Sequence, residues 1–323
     1  MQRWVQLVLS VLLSAAGLFL ALRGVDWEAL GSALQTVHLG WLLAAVVAEI
    51  LAVWINAIRW RWLFWPHHSP RTRRLFGILN VAQLANTVLP GRLGLPLRAV
   101  LVGGGGQISR VTALTTLAVE KVLEGATLLP IGAVLLLVLD LPDWLRASTI
   151  LSGCLLLGLL LAFGGGLRWK EPFLAWISRW STGRLYSIAH SLLAGLDSLR
   201  STRARWRLWI WSLVYWAAVA TVNGFAIQAA GLDVSPIAVL VLLFVLQIGV
   251  RLPSFPGNLG VFDYLGVVSL AIFGIEKTPA LGVTLLLHLV FYLPPSLLGV
   301  GYLLWTNTRL CELRQAALPF QES

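Results

Sequence analysis

Glu120, Lys121 and Glu124 stand inside one apolar stretch, and the i, i+4 spacing of the two carboxylates puts both on one face of a helix. An ionised side chain in hydrocarbon costs at least about 2.5–3.5 kcal/mol, so charges kept there are paired or line a wet cavity. Two readings follow. Either the cluster satisfies itself against a neighbouring helix, with Lys121 neutralising one carboxylate, or it forms a cavity wall that pairs with arginines or with a cationic substrate group. Arginines are at hand in Arg92, Arg98 and Arg251, with Asn86 and Asp263 nearby, all set around two Pro-Gly breaks. Half-helices that begin after such breaks present free N–H groups and a positive dipole end, which with an arginine beside them suit a phosphate or carboxylate. The plain alternative for Arg92 and Arg98 is snorkelling to the cytoplasmic surface. Glu49 is either a membrane carboxylate facing the breaks or a helix-end residue, and His288 is more readily a hydrogen-bonded packing residue than a proton relay. Gly103 to Gly106 is followed by no Gly-Lys-Ser/Thr and reads as a link, not a phosphate loop. No nucleophile–base pair and no metal-ligand spacing is found, so neither a catalytic residue nor a metal or other cofactor is expected.

The elements that must position these groups follow from the breaks. Pro90-Gly91-Arg92-Leu93-Gly94 recurs as Pro256-Gly257-Asn258-Leu259-Gly260, each between two half-length apolar segments. Proline followed by glycine ends a helix, so Pro90, Gly91, Gly94, Pro256, Gly257 and Gly260 are expected as hinges of two re-entrant hairpins, 75–89/92–106 and 236–251/260–275. The offset, 256 − 90 = 166, carries helix 39–58 to 205–224 and 113–139 to 279–305. A unit of helix, hairpin and helix therefore occurs twice; the competing account is chance recurrence in a glycine-rich membrane chain. Discontinuous helices in matching positions of two halves point to a transporter's binding site.

Composition sets the class. With 58% hydrophobic and 12% charged residues and a mean hydropathy of +0.82, the chain cannot coat a water-soluble globule and reads as an all-α polytopic membrane protein. Spans are expected near 4–22, 39–58, 111–139, 145–167, 207–230 and 279–305, about six crossings plus the two hairpins. The first is expected as a retained anchor because Ala21-Leu22-Arg23 is a poor cleavage site. The charge of +10, from 24 Lys+Arg against 14 Asp+Glu, sits in a few loops and so reports orientation and anionic lipid, not nucleic acid. Basic segments at Arg59 to Arg74, Arg168 to Arg207 and the tail with Arg309 and Arg314 are expected on the cytoplasmic side. The loops around Asp26 and Glu28, Asp140 and Asp143, and Asp233 are expected outside. Both termini then lie inside and the two units run in opposite senses, an inverted repeat. One transmembrane domain results: an N-terminal helix in 1–38, repeat 1 in 39–139, a link with an interfacial amphipathic segment in 140–205, repeat 2 in 206–305 and a tail in 306–323. Tryptophans such as Trp60, Trp62, Trp65, Trp206, Trp209 and Trp211 fit an aromatic belt. Cys154 and Cys311 build neither a disulfide framework nor a metal site.

The run Asn86 to Arg98, the Glu120-Lys121-x-x-Glu124 cluster and the run Arg251 to Asp263 together resemble the flippase-like integral membrane family, which includes the transmembrane flippase domain of bacterial lysylphosphatidylglycerol synthases. Arg59-Trp60 is similar to an arginine common there. The family usually has Glu-Arg-x-x-Asp at the cluster and Glu where this chain has Asp263; lysine at 121 lacks the bidentate fork of arginine. The chain ends soon after the last predicted helix, without room for the soluble aminoacyltransferase domain. The resemblance implies translocation of a charged lipid headgroup, phosphate-bearing and either amino-acylated or polyprenyl-linked, without lipid synthesis, and so not an enzyme. The site it implies is Arg92, Arg98 and Arg251 for phosphate, with Glu120, Lys121, Glu124, Asp263 and Asn86 around them. The setting is the bacterial cytoplasmic (inner) membrane and the expected partner is membrane lipid, with a second copy of the chain and a separate lipid-modifying enzyme as further candidates. Two rival classes remain: a secondary transporter of a small soluble anion and, less favoured because no nucleophile–base pair or metal-ligand spacing is found, a membrane-embedded enzyme acting on a lipid phosphate.

Overall fold

The computed structural model describes residues 2–66, 70–89, 93–104, 108–140, 142–168, 197–250 and 256–306. Expectations resting on Pro90, Gly91, Arg92, Arg251, the interfacial segment at 169–196 and the tail at 307–323 lie outside them. The described residues are helical throughout, with no strand among them. In chain order the helices are α1 (Gln2–Leu22), α2 (Trp27–Gln35), α3 (Leu39–Leu63), α4 (Thr72–Val88), α5 (Gly94–Gly103), α6 (Arg110–Val138), α7 (Asp143–Arg168), α8 (Asp197–Arg200), α9 (Thr202–Ala229) and α10 (Pro236–Gly249). A 3₁₀ turn at Pro256–Asn258 then leads to α11 (Val261–Ala271) and α12 (Lys277–Thr306).

Local chemistry explains many of the boundaries. Ser109, Ser201 and Ser235 each accept a backbone N–H with their side chain at the start of α6, α9 and α10, and Pro236 occupies the first turn of α10, where its missing N–H costs nothing. Asp26 caps α2, a short helix the sequence reading did not anticipate, by accepting from Glu28 and Ala29 N–H at 3.0 Å. The long helices α3, α6, α9 and α12 are long and apolar enough to cross a membrane. Six crossings were expected; α1 and α7 occupy the positions 4–22 and 145–167, and their described apolar stretches are the shorter Val11–Leu22 and Leu145–Gly158. The chain is a multi-pass membrane protein.

Helix α3 turns much of its large apolar surface outward, the reverse of a soluble helix. On α3, Leu39, Leu43, Val47, Leu51 and Trp54 are exposed while Ala45, Ala48, Glu49 and Ala52 are buried. Lipid tails are as apolar as leucine, so small residues that let backbones approach, not large ones, belong in the interfaces. Helix order α3-α4-α5-α6 recurs as α9-α10-α11-α12, and the two sets interleave: α3 packs most extensively on α9, and α4 on α12. Gly299 on α12 faces the backbone of α4 so closely that an added Cβ would lie 2.6 Å from the carbonyl oxygen of Asn80. Helix α1 stands outside both sets and packs on α11.

Candidate functional site

The charged side chains meet where α3, α5 and α6 converge. Arg59 donates through Nη2 to Glu120 Oε1 at 3.0 Å and to Glu124 Oε1 at 2.9 Å. Arg98 donates to the other oxygen of Glu120, Oε2, at 2.6 Å, and Lys121 Nζ donates to Glu124 Oε2 at 2.8 Å. Glu120 therefore lies between two guanidinium groups. Each arginine also lies over an aromatic ring, Arg59 at 4.7 Å from the centre of Tyr215 and Arg98 at 4.1 Å from that of Trp60. Arg59 is 0% exposed and Glu120 1%. Among the described residues, Arg59 Nε and Nη1 and Arg98 Nε have no hydrogen-bond partner. The network thus sets three cations against two carboxylates and keeps donors unused.

It borders a partly open cavity of about 300 Å³ between the two helix sets. Single faces of the helices line it: Glu49, Ala52, Val53 and Asn56 of α3; Leu79, Ala82, Gln83 and Asn86 of α4; Tyr215, Val219 and Asn223 of α9; Leu243, Leu246, Gln247 and Val250 at α10. Arg98, Glu120, Lys121 and Glu124 complete the charged side, and Phe262, Phe291 and Tyr292 an aromatic one. All eight helices of the two sets reach the cavity, while none of the described residues of α1, α2, α7 and α8 lines it.

The two breaks differ in construction. At the first, Asn86 Oδ1 accepts the N–H of Gly94 at 2.9 Å, tying the arms α4 and α5 together. A side chain at position 94 would come within 2.5 Å of that oxygen. At the second, Gly260 has φ +84°, and Asp263 Oδ2 accepts its N–H at 2.9 Å, capping α11. The other oxygen of Asp263 lies 3.3 Å from His288 Nδ1, and His288 stacks on Tyr292, whose hydroxyl accepts from Asn258 Nδ2 at 2.7 Å. Asp263 is placed as a brace of the second break, apart from the Glu120 network.

Of the residues singled out in sequence, Arg98, Glu120, Lys121, Glu124 and Asn86 come together at the cavity, and Arg92 and Arg251 lie outside the described residues. Lys121 does neutralise Glu124, and Arg98 is buried on Trp60 with Glu120, not snorkelling. His288 is a hydrogen-bonded packing residue. Two expectations are corrected. Arg59 was grouped with the cytoplasmic basic segment, yet it is the hub of the network, because α3 continues to Leu63 and two facing carboxylates compensate its burial. Trp60 was assigned to the aromatic belt and is 0% exposed, whereas Trp206 is 66% exposed as a belt residue should be. Tyr215, Asn223 and Gln247 were missed; their signal was polarity recurring on single faces of apolar helices.

The family model described as the lysylphosphatidylglycerol synthase transmembrane region matches residues 7–299. The chain belongs to the lysylphosphatidylglycerol synthase transmembrane-region family. This membership gives it a membrane lipid-related function. Glycosyltransferase AglD of Haloferax volcanii is 22% identical over an alignment of 346 positions, covering 95% of this chain and 55% of that protein. The chain thus spans about half the length of the curated relative it matches. No solved structure matches. The expectation that the chain stands outside enzymes is overturned here, since the family is described by a synthase and the relative is named as a glycosyltransferase.

Proposed function

We propose that this chain moves a phosphate-bearing lipid headgroup across the membrane through the cavity, while the lipid tails stay in the bilayer. The observation that carries the reading is Arg98, a buried guanidinium on the cavity wall whose charge partner, Glu120, is shared with Arg59. When a phosphate enters, Arg98 can turn to it without leaving Glu120 unpaired, because Arg59 remains. Breaking a buried pair by removing one partner costs about 3–5 kcal/mol, so a shared carboxylate lowers the barrier to exchange. Arg92 and Arg251, at the two breaks, would add donors, and Lys121 would meet the phosphate from the half-exposed side. Glu120 and Glu124 partly offset these cations in the empty state, which leaves a positive excess for the phosphate.

The recurring helix order supports reading the two sets as copies of one unit; the placement of basic and acidic loops supports opposite orientations of the copies with both termini cytoplasmic, and the proposed setting is the bacterial cytoplasmic membrane. Direction would come from the membrane potential or a gradient of the lipid. The enzyme names carried by the family and by the relative support a lipid that is itself the substrate or product of enzymatic modification.

The test is reconstitution in vesicles with a fluorescent phospholipid and a membrane-impermeant quencher. Protein-dependent quenching of inner-leaflet lipid is expected for the parent and its loss for Arg98→Ala. Unchanged scrambling by that variant overturns the phosphate role, and uptake of soluble phosphate without lipid movement replaces the lipid reading with soluble-anion transport.

A further inference from the structure

The polar lining of the cavity divides by chemistry. Every charged group that the described residues place on it, Glu49, Arg98, Glu120, Lys121 and Glu124, comes from α3, α5 or α6. The polar side chains that α9, α10 and α12 present are neutral: Tyr215, Asn223, Gln247 and Tyr292. With Asn56, Gln83 and Asn86, five carboxamides line one cavity. Asn223 is the telling member. It is 1% exposed, and neither its Oδ1 nor its Nδ2 has a hydrogen-bond partner among the described residues; Asn56 Oδ1 has none either.

A buried carboxamide left unmatched is costly, and native structures almost always satisfy it. A folding role therefore does not account for Asn223, whereas a leucine of similar size would pack α9 without penalty. Each carboxamide offers two donors and two acceptor lone pairs, so a row of them matches groups that both donate and accept. Hydroxyl groups do both. Phosphate oxygens and ammonium groups do one, and are served by the charged wall instead. The rings of Phe262, Phe291 and Tyr292 contribute apolar lining of the kind the C–H face of a sugar ring covers. The volume of about 300 Å³ is at the low end of small-molecule sites, about 300–1,000 Å³.

We infer that the cavity is built for a glycosyl phosphate headgroup, its phosphate on Arg98 and Lys121 and its hydroxylated ring on Asn223, Asn56 and Gln247. The inference rests on the phosphate-headgroup reading above and narrows it from any lipid phosphate to one bearing a sugar.

The experiment is calorimetric titration of the detergent-purified full chain with inorganic phosphate, glycerol 3-phosphate, glucose 1-phosphate and a decyl-linked glucose phosphate. One well-formed hydrogen bond corresponds to about tenfold in affinity, so glucose 1-phosphate is expected to bind about tenfold or more tighter than glycerol 3-phosphate. Asn223→Leu is expected to erase that preference while binding inorganic phosphate as before, with a melting temperature no lower than the parent's. Asn56→Leu, on a different helix, is expected to weaken the same preference and stands in should Asn223→Leu not fold. Equal affinity for the glycerol and glucose probes, or a preference untouched in the variants, overturns the glycosyl inference and leaves the phosphate reading intact. Binding of no phosphate probe at all overturns both. Tighter capture of the decyl-linked probe assigns the site to a lipid; equal capture keeps the glycosyl phosphate site and transfers it to a soluble sugar phosphate.

Discussion

The Glu120 network separates charges that hold the fold together from one, Lys121, on which fold stability hardly depends. Glu120 satisfies two buried arginines at once, so Glu120→Gln should destabilise the protein by about 3–5 kcal/mol, the cost of an uncompensated buried charge. Lys121 is 51% exposed at its side chain, and its pair with Glu124 is worth about 0–1 kcal/mol, so Lys121→Ala should leave stability nearly unchanged. Thermal unfolding of both variants in detergent checks the contrast; equal losses would show that the two pairs are equivalent. Glu120, Lys121 and Glu124 were legible because helical spacing alone places the two carboxylates side by side. Arg59 was hidden by its neighbours, for an arginine among tryptophans and other arginines at a helix end looks like an interface residue. The legible sign was the register of α3, in which Ala45, Ala48, Glu49, Ala52, Asn56 and Arg59 fall along one face of small and polar residues.

At the scale of elements, the hairpin arms α4 and α5, and α10 and α11, begin and end within a few residues of the segments expected from the Pro-Gly breaks. A Pro-Gly pair readily ends a helix, unlike the prolines accommodated inside α6 (Pro130) and α12 (Pro294, Pro295), which is why these boundaries could be read without tertiary information. What lies against each break could not. Gly260 combines φ +84° with a position where an added Cβ would meet the carbonyl oxygen of Ser14 at 2.1 Å. Gly260→Ala must therefore both strain the turn and push α1 away, and it should lower the melting temperature more than Gly17→Ala, whose Cβ would lie 2.7 Å from the carbonyl oxygen of Gly260 at an ordinary helical conformation. Comparing the two variants by thermal unfolding checks this, and a milder effect at Gly260 would mean that the turn relaxes freely. At the first break, Asn86→Leu removes the acceptor of the Gly94 N–H at the edge of the cavity; a stability loss of about 1–3 kcal/mol is expected by the same assay.

For the whole molecule, the orientation of the two helix sets yields the sharpest expectation. If they are inverted copies, a cysteine placed at Asp140 should react with an impermeant thiol reagent from outside the cell, one at Arg205 only after the membrane is opened, and one at Asp233 again from outside. Labelling of all three from one side would overturn the inverted arrangement. The fold class was legible because composition leaves a chain this apolar few alternatives, whereas the interleaving of the sets, α3 on α9 and α4 on α12, depends on contacts between residues far apart in sequence. Helix α1 shows the same distance from another side. Lys277 Nζ donates to the carbonyl oxygens of Leu20 and Arg23, and Asp26 N–H donates to Thr278, partners 252 to 257 residues further along the chain. At a synthesis rate of about 5–20 residues per second, roughly 10–50 s separate the emergence of α1 from that of the residues that fasten it. During biogenesis α1 therefore waits in lipid, or in the insertion machinery, as a bystander until α11 and α12 arrive to claim it.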